Sequence, residues 1–211
     1  MDYRNSAYCP SLDGIEKRKL RVAELVKADH PRVKNMYTYV SKNDDRYKDE
    51  FIKAYNGKCS YCGASVSFVS KRAFEIDHYI YKESEKFKSK VEAGNIDNLV
   101  LSCNYCNSKK SDFNISDEYI EKLNPDKSDI CRCFIRNEDY YIEVSDENAE
   151  DMVINDFFKQ LNLGSELRRL DYLLLNLTGL KKMLSNVEGM GEVYKKLDKM
   201  TMLLTQKRNM L

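Results

Sequence analysis

The residues of this chain whose types and spacing can do chemistry lie between Cys59 and Lys110. Two Cys-x2-Cys knuckles, Cys59-Ser-Tyr-Cys62 and Cys103-Asn-Tyr-Cys106, bracket the run Phe74-Glu-Ile-Asp77-His78, which carries one of only two histidines. A Cys-x2-Cys knuckle presents two thiolates on one side of a tetrahedron, and two knuckles complete a four-sulfur site of the kind zinc prefers. With Cys59, Cys62, Cys103 and Cys106 filling every position, such an ion has no open site, and its role is structural. The 40 residues between Cys62 and Cys103 exceed the usual ribbon spacing. A separate unit is therefore looped out between the ligands, and it contains the Asp-His pair.

These residues resemble the HNH endonuclease family, the ββα-metal nucleases, in the variety stapled by a four-cysteine zinc. The resemblance is carried by the two knuckles, by Phe74-Glu-Ile-Asp77-His78, by Asn95-Ile-Asp-Asn98-Leu-Val-Leu-Ser-Cys103 and by Cys106-Asn107-Ser-Lys-Lys110, and it covers about residues 50–115. It implies hydrolysis of DNA phosphodiester bonds with His78 as general base. It also implies one Mg2+ held through the oxygens of Asp77 and Asn107, with Asn98 pinning the loop and orienting His78. The last ligand of the family is often histidine, whereas this chain has Asn107.

The physical case for His78 agrees, because imidazole is the side chain whose unperturbed pKa lies near neutrality, where a water must be deprotonated. Lys109 and Lys110 follow Asn107 near the expected start of a helix and are candidates to neutralise phosphates. Lys82, Lys86, Lys88 and Lys90 are interleaved with Glu83, Glu85 and Glu92 and read as a solvated charged face. One geometric condition attaches to the site. Strand neighbours point to opposite faces, so a strand reaching Asp77-His78 must end or bulge there. In a strand that continues regularly, Glu75 and Asp77 become the rival carboxylate pair and His78 a packing residue.

The elements that must position these groups can be read in outline. The pattern predicts strands at Val66–Val69, at 72–77 and at 98–103, with a helix beginning at Asn107, in the order strand, loop, strand, helix. Upstream, Ser11-Leu-Asp-Gly caps a helix whose Ile15, Val22, Leu25 and Val26 face a core, and Pro31 ends it. A second helix runs from Asp44 or Asp45 to Tyr55, its Tyr47, Phe51 and Tyr55 forming a core stripe and Gly57 its cap. Downstream, 131–136 and 140–144 read as a hairpin in which Cys131 and Cys133 share one face of a strand. Helices follow over about 149–161, 165–184 and 192–209. Leu167, Leu170, Leu174 and Leu177, with Val193, Leu197, Met200 and Leu204, form apolar seams that pack on each other or on a second protein.

The fold class is thus α+β, a small ββα-metal core with N-terminal helices, a β-hairpin and a C-terminal helical region. Its divisions fall at 1–45, 46–115, 116–148 and 149–211. Net charge divides as +2 over 1–45 and +3 over 46–115 against −4 over 116–211, so the basic surplus lies on and before the bracketed stretch, where a polyanion such as DNA would bind. No apolar run approaches the ~20 residues of a membrane span, the first residues lack the apolar core of a signal peptide, and the chain reads as cytoplasmic. The layout of Glu166-Leu-Arg-Arg-Leu-Asp-Tyr-Leu-Leu-Leu after a hairpin is similar to HNH subunits of Septu-type phage-defence systems, which implies an ATPase subunit docked on the C-terminal helices. The competing reading is a zinc-stabilised nucleic-acid- or protein-binding module in which the nuclease site is vestigial.

Overall fold

A computed structural model describes residues 2–42 and 46–211. The nine helices are α1 (Ile15–Asp29), α2 (Tyr37–Val40), α3 (Arg46–Ala54), α4 (Lys90–Ala93), α5 (Asn104–Lys110), α6 (Ile130–Cys133), α7 (Met152–Gln160), α8 (Glu166–Leu184) and α9 (Gly191–Arg208) among the described residues. The strands β1 (Phe74–His78) and β2 (Leu99–Cys103) pair antiparallel, and β3 (Phe134–Arg136) pairs with β4 (Ile142–Val144) in a separate hairpin. α5 packs on both β1 and β2, which makes the ββα unit. One apolar cluster runs from Tyr3 to Leu163, so N-terminal helices, ββα unit and α7 share a core.

Ile15, Val22 and Val26 are buried along α1, with Leu25 half-buried beside them. The start of this helix differs from expectation. Ser11 turns its hydroxyl to the Asp13 carboxylate at 2.5 Å, and α1 begins after Gly14 in the left-handed region with no side-chain cap. The expected start of the next helix at Asp44 or Asp45 lies outside the described residues. Its core stripe is present, with Tyr47, Phe51 and Tyr55 all buried. Gly57, at φ +67°, donates its N–H to Ile52 O at 2.9 Å, the C-terminal cap that a left-handed residue makes possible.

Val66–Val69 is a turn, not a strand. The N–H groups of Phe68 and Val69 both go to Ser65 O, and the Ser65 hydroxyl receives the Ser67 N–H. Local serine bonding offers the backbone an alternative to pairing, and it wins here over β-branched composition. Cys131 and Cys133 also leave the expected strand, because α6 occupies 130–133 and β3 begins only at Phe134. Cys133 is buried and Cys131 half-buried against Arg4.

α8 and α9 pack on each other as an antiparallel pair, tied by Lys181–Asp198 and Lys207–Glu166, both 2.5 Å. Leu170 and Leu174 are buried in this arrangement. On α9 only Leu197 of the four seam positions is buried, while Val193 is 43% and Met200 50% exposed. No helix among the described residues is long and apolar enough to cross a membrane.

Candidate functional site

The first knuckle forms where the chain leaves α3. Cys59 N donates to Ala64 O at 2.8 Å and Gly63 N to Cys59 O at 3.0 Å, closing a tight loop around the two sulfurs. Gly63 is required there twice over, by φ +80° and because a Cβ would lie 2.9 Å from Arg4 O. Arg4 lies across the loop, its guanidinium donating to Ser60 O and, at 2.7 Å, to Pro125 O, while the Tyr3 hydroxyl donates to Tyr61 O at 2.6 Å. The second knuckle joins the end of β2 to the first turn of α5. That helix therefore starts at Asn104, three residues before expectation, because the knuckle itself makes the turn from strand to helix.

All four sulfurs lie within 4.8 Å of one another and all four residues are buried. Sulfurs around zinc at about 2.3 Å in a tetrahedron stand about 3.8 Å apart, and Cys62 Sγ and Cys103 Sγ are at 3.9 Å. The donor set and its spacing fit a closed four-thiolate metal site.

A buried cation from α8 completes that site. Arg168, 1% exposed, donates from Nη2 to Cys106 Sγ at 3.0 Å and from Nη1 to Cys103 Sγ at 3.7 Å. Its guanidinium lies 4.4 Å over the Tyr105 ring and 3.6 Å from the Asp171 carboxylate, which Arg208 of α9 reaches at 2.5 Å. Four thiolates around a divalent ion carry a surplus negative charge, and Arg168 offsets part of it where water cannot. Arg168→Met is expected to release bound zinc to a competing chelator about 10- to 100-fold more readily, the usual range for groups hydrogen-bonded to metal ligands. An unchanged release rate would show the contact to be packing alone.

The candidate chemical residues lie on β1 and α5. Pairing of β1 with β2 is regular from Phe74–Cys103 through Asp77–Val100 to His78–Leu99, and β1 stops there without a bulge. Asp77 is buried, and its carboxylate accepts from the Tyr61 hydroxyl at 2.7 Å and from Lys110 Nζ at 3.1 and 3.3 Å. Burial pushes its pKa up, against the opposing pull of Lys110 and Tyr61. His78 is half-buried, with Tyr37 of α2 packed on its ring at 4.4 Å between centroids. Desolvation, helped by the charges of Lys82 and Lys110, pushes its pKa down to about 4, so the imidazole is neutral at neutral pH.

Asn107, in the middle of α5, reaches Glu75: its Nδ2 donates to the exposed Glu75 carboxylate. Glu75 and Asp77 alternate onto one face of β1, so three oxygen-bearing side chains, Glu75, Asp77 and Asn107, belong to one neighbourhood. Their hard oxygen donors suit a divalent cation such as Mg2+. The Asn107 amide donates through nitrogen and keeps its oxygen for a ligand.

Asn98 works on backbone. Its Oδ1 accepts from Ile80 N at 2.8 Å, and its Nδ2 donates to Ile80 O at 3.0 Å and Ala93 O at 2.9 Å. It ties both ends of the loop that leaves His78, and among the described contacts it does not touch the imidazole. Asn98→Ala is expected to lower unfolding free energy by about 2–4 kcal/mol, because each buried amide or carbonyl left unpaired costs about 1–3 kcal/mol. Denaturant unfolding of the two proteins measures it; a loss below 0.5 kcal/mol, roughly the scale of a surface change, would contradict the clamp.

The lysines divide. Lys109 is exposed on the last turn of α5, where the helix dipole favours a cation. Lys110 is fully buried, its ammonium on Asp77 and on His78 O at 2.9 Å. The expectation that it faces phosphate at a helix start is therefore corrected, since α5 ends at Lys110. In the loop after His78, Lys86 pairs with Asp117 at 2.7 Å and Lys90 with Glu83 at 2.8 Å, as a solvated charged face would.

Tyr61, Lys110, Arg168 and Tyr37 were not legible as partners of this site. Tyr61, inside the first knuckle, carries the only local signal, a phenol two residues after Cys59 and directly before Cys62. No curated protein and no solved structure matches the chain. Residues 59–113, the segment that holds the thiol cluster, β1, β2 and α5, match the family model for HNH endonuclease.

Proposed function

We propose that the chain is a metal-dependent endonuclease that hydrolyses DNA phosphodiester bonds, with His78 as general base and a structural zinc in the cluster of Cys59, Cys62, Cys103 and Cys106. The observation that carries this reading is the position of His78, half-buried at the end of β1, directly after Asp77 and with Asn107 on the adjoining helix, inside the HNH segment. His78 takes a proton from a water, the resulting hydroxide attacks phosphorus, and the bond to the 3′ oxygen breaks. The products are a 5′-phosphate and a 3′-hydroxyl, the leaving oxygen taking its proton from solvent. Asp77, Asn107 and Glu75 would hold a divalent cation, most simply Mg2+, which when bound neutralises charge developing on the phosphate. Tyr61 and Lys110 keep the Asp77 carboxylate in one orientation.

One observation favours the second reading, a DNA-binding module with a vestigial site: the Asp77 carboxylate already has a buried counter-ion in Lys110. Plasmid incubated with the purified chain and Mg2+ separates the two. Nicking that Asp77→Ala reduces supports the nuclease; tight DNA binding without nicking, indifferent to Asp77→Ala, supports the module.

A further inference from the structure

We propose that Tyr37, which lies ahead of the segment that matches the HNH family, is a positioning residue for the His78 imidazole; this rests on the reading of His78 as the base. The Tyr37 ring packs on the imidazole at 4.4 Å between centroids and 39° between planes. A histidine ring needs such a neighbour, because its outer torsion is broad and nearly two-fold, and backbone alone does not decide which nitrogen faces the substrate. A flat partner on one face removes that freedom and leaves the edges open.

The position of Tyr37 is built. The N–H groups of Met36 and Tyr37 both donate to Gly94 O, at 3.0 and 3.2 Å, and Ser41 N returns to Tyr37 O at 3.0 Å. Met36 and Val40 are buried on either side of it. Gly94 follows Ala93, the residue whose carbonyl Asn98 holds, and the same Asn98 holds Ile80, two residues beyond His78. The base and the ring that packs on it are therefore registered through one loop, from opposite ends.

The test compares Tyr37→Leu and Tyr37→Phe in the full chain. Proton NMR of the two histidines reads geometry directly, since an aromatic face shifts the imidazole protons upfield. His30, packed on Tyr39 and Tyr47, is an internal control for folding. Tyr37→Leu is expected to move the His78 resonances downfield, leave those of His30 in place, and lower kcat for plasmid nicking about 10- to 100-fold with KM for DNA unchanged. Tyr37→Phe is expected to keep both the resonances and kcat. His78 signals that stay put in Tyr37→Leu overturn the proposal, as does an equal kcat loss in both variants, which would assign the effect to the hydroxyl. A wild-type chain that cuts no better than His78→Ala sinks the general-base reading instead, and the NMR comparison still reports on the contact by itself.

Discussion

His78→Ala is expected to lower plasmid nicking in Mg2+ by a factor of about 10²–10⁴, the usual contribution of a general base, with zinc content and melting temperature nearly unchanged. The size of the effect follows from position. His78 is the last residue of β1, its imidazole half-exposed and neutral, and the other histidine, His30, packs on Tyr39 and Tyr47 elsewhere. The small effect on stability follows from contacts. The ring of His78 has one aromatic neighbour, Tyr37, worth about 0.5–1.5 kcal/mol beyond its area, and the backbone bonds of β1 do not depend on the side chain. Cutting by the variant at the wild-type rate would falsify the assignment. It would return the site to the rival reading in which Glu75 and Asp77 act and His78 packs.

How much of this was legible in the sequence depends on how far apart the partners lie. The two knuckles and β1 were readable, because each is a local spacing or a period-two run that the backbone must follow, while Asn98 came only through the family resemblance. The burial of Tyr47, Phe51 and Tyr55 and the existence of the C-terminal helices were readable for the same reason. Lys110 was misread because an exposed-looking Lys-Lys pair gives no sign that its second member turns inward onto Asp77, 33 positions away. Arg168 reaches Cys103 across 65 positions, and nothing in Arg168-Arg169 distinguishes the buried guanidinium from the one that pairs with Glu166 at the surface. The expected strand at Val66–Val69 gave way to a nearer competitor, the Ser65 side chain and carbonyl. The candidate residues for chemistry could thus be named from the sequence, whereas Lys110 and Arg168 as their supports could not, since contact across a fold follows from packing and not from spacing.

Removing the metal is expected to unfold the ββα unit rather than merely silence it. Structural zinc in small sites contributes about 10–16 kcal/mol of apparent binding free energy at neutral pH, as large as the ~5–15 kcal/mol by which whole domains are stable. Here the cluster joins four parts of the chain: the loop after α3, the end of β2, the start of α5 and, through Arg168, α8. With the ion gone, four thiols share a buried space with a guanidinium that has lost its thiolate partners, leaving a charge whose remaining carboxylate, Asp171, lies 3.6 Å away. Cys106→Ser, or treatment with a strong chelator, should therefore abolish the cooperative thermal transition and expose the segment around β2 to protease, with zinc release measured in parallel by a chromophoric dye. Excess Mg2+ should not restore nicking, because Tyr61, which lies between two of the ligands, also holds Asp77 at 2.7 Å. A metal-stripped chain that keeps its transition and regains activity with Mg2+ alone would show that the cysteines pack without binding. The staple would then be an ordinary apolar core, and Arg168 would need another anion to explain its burial.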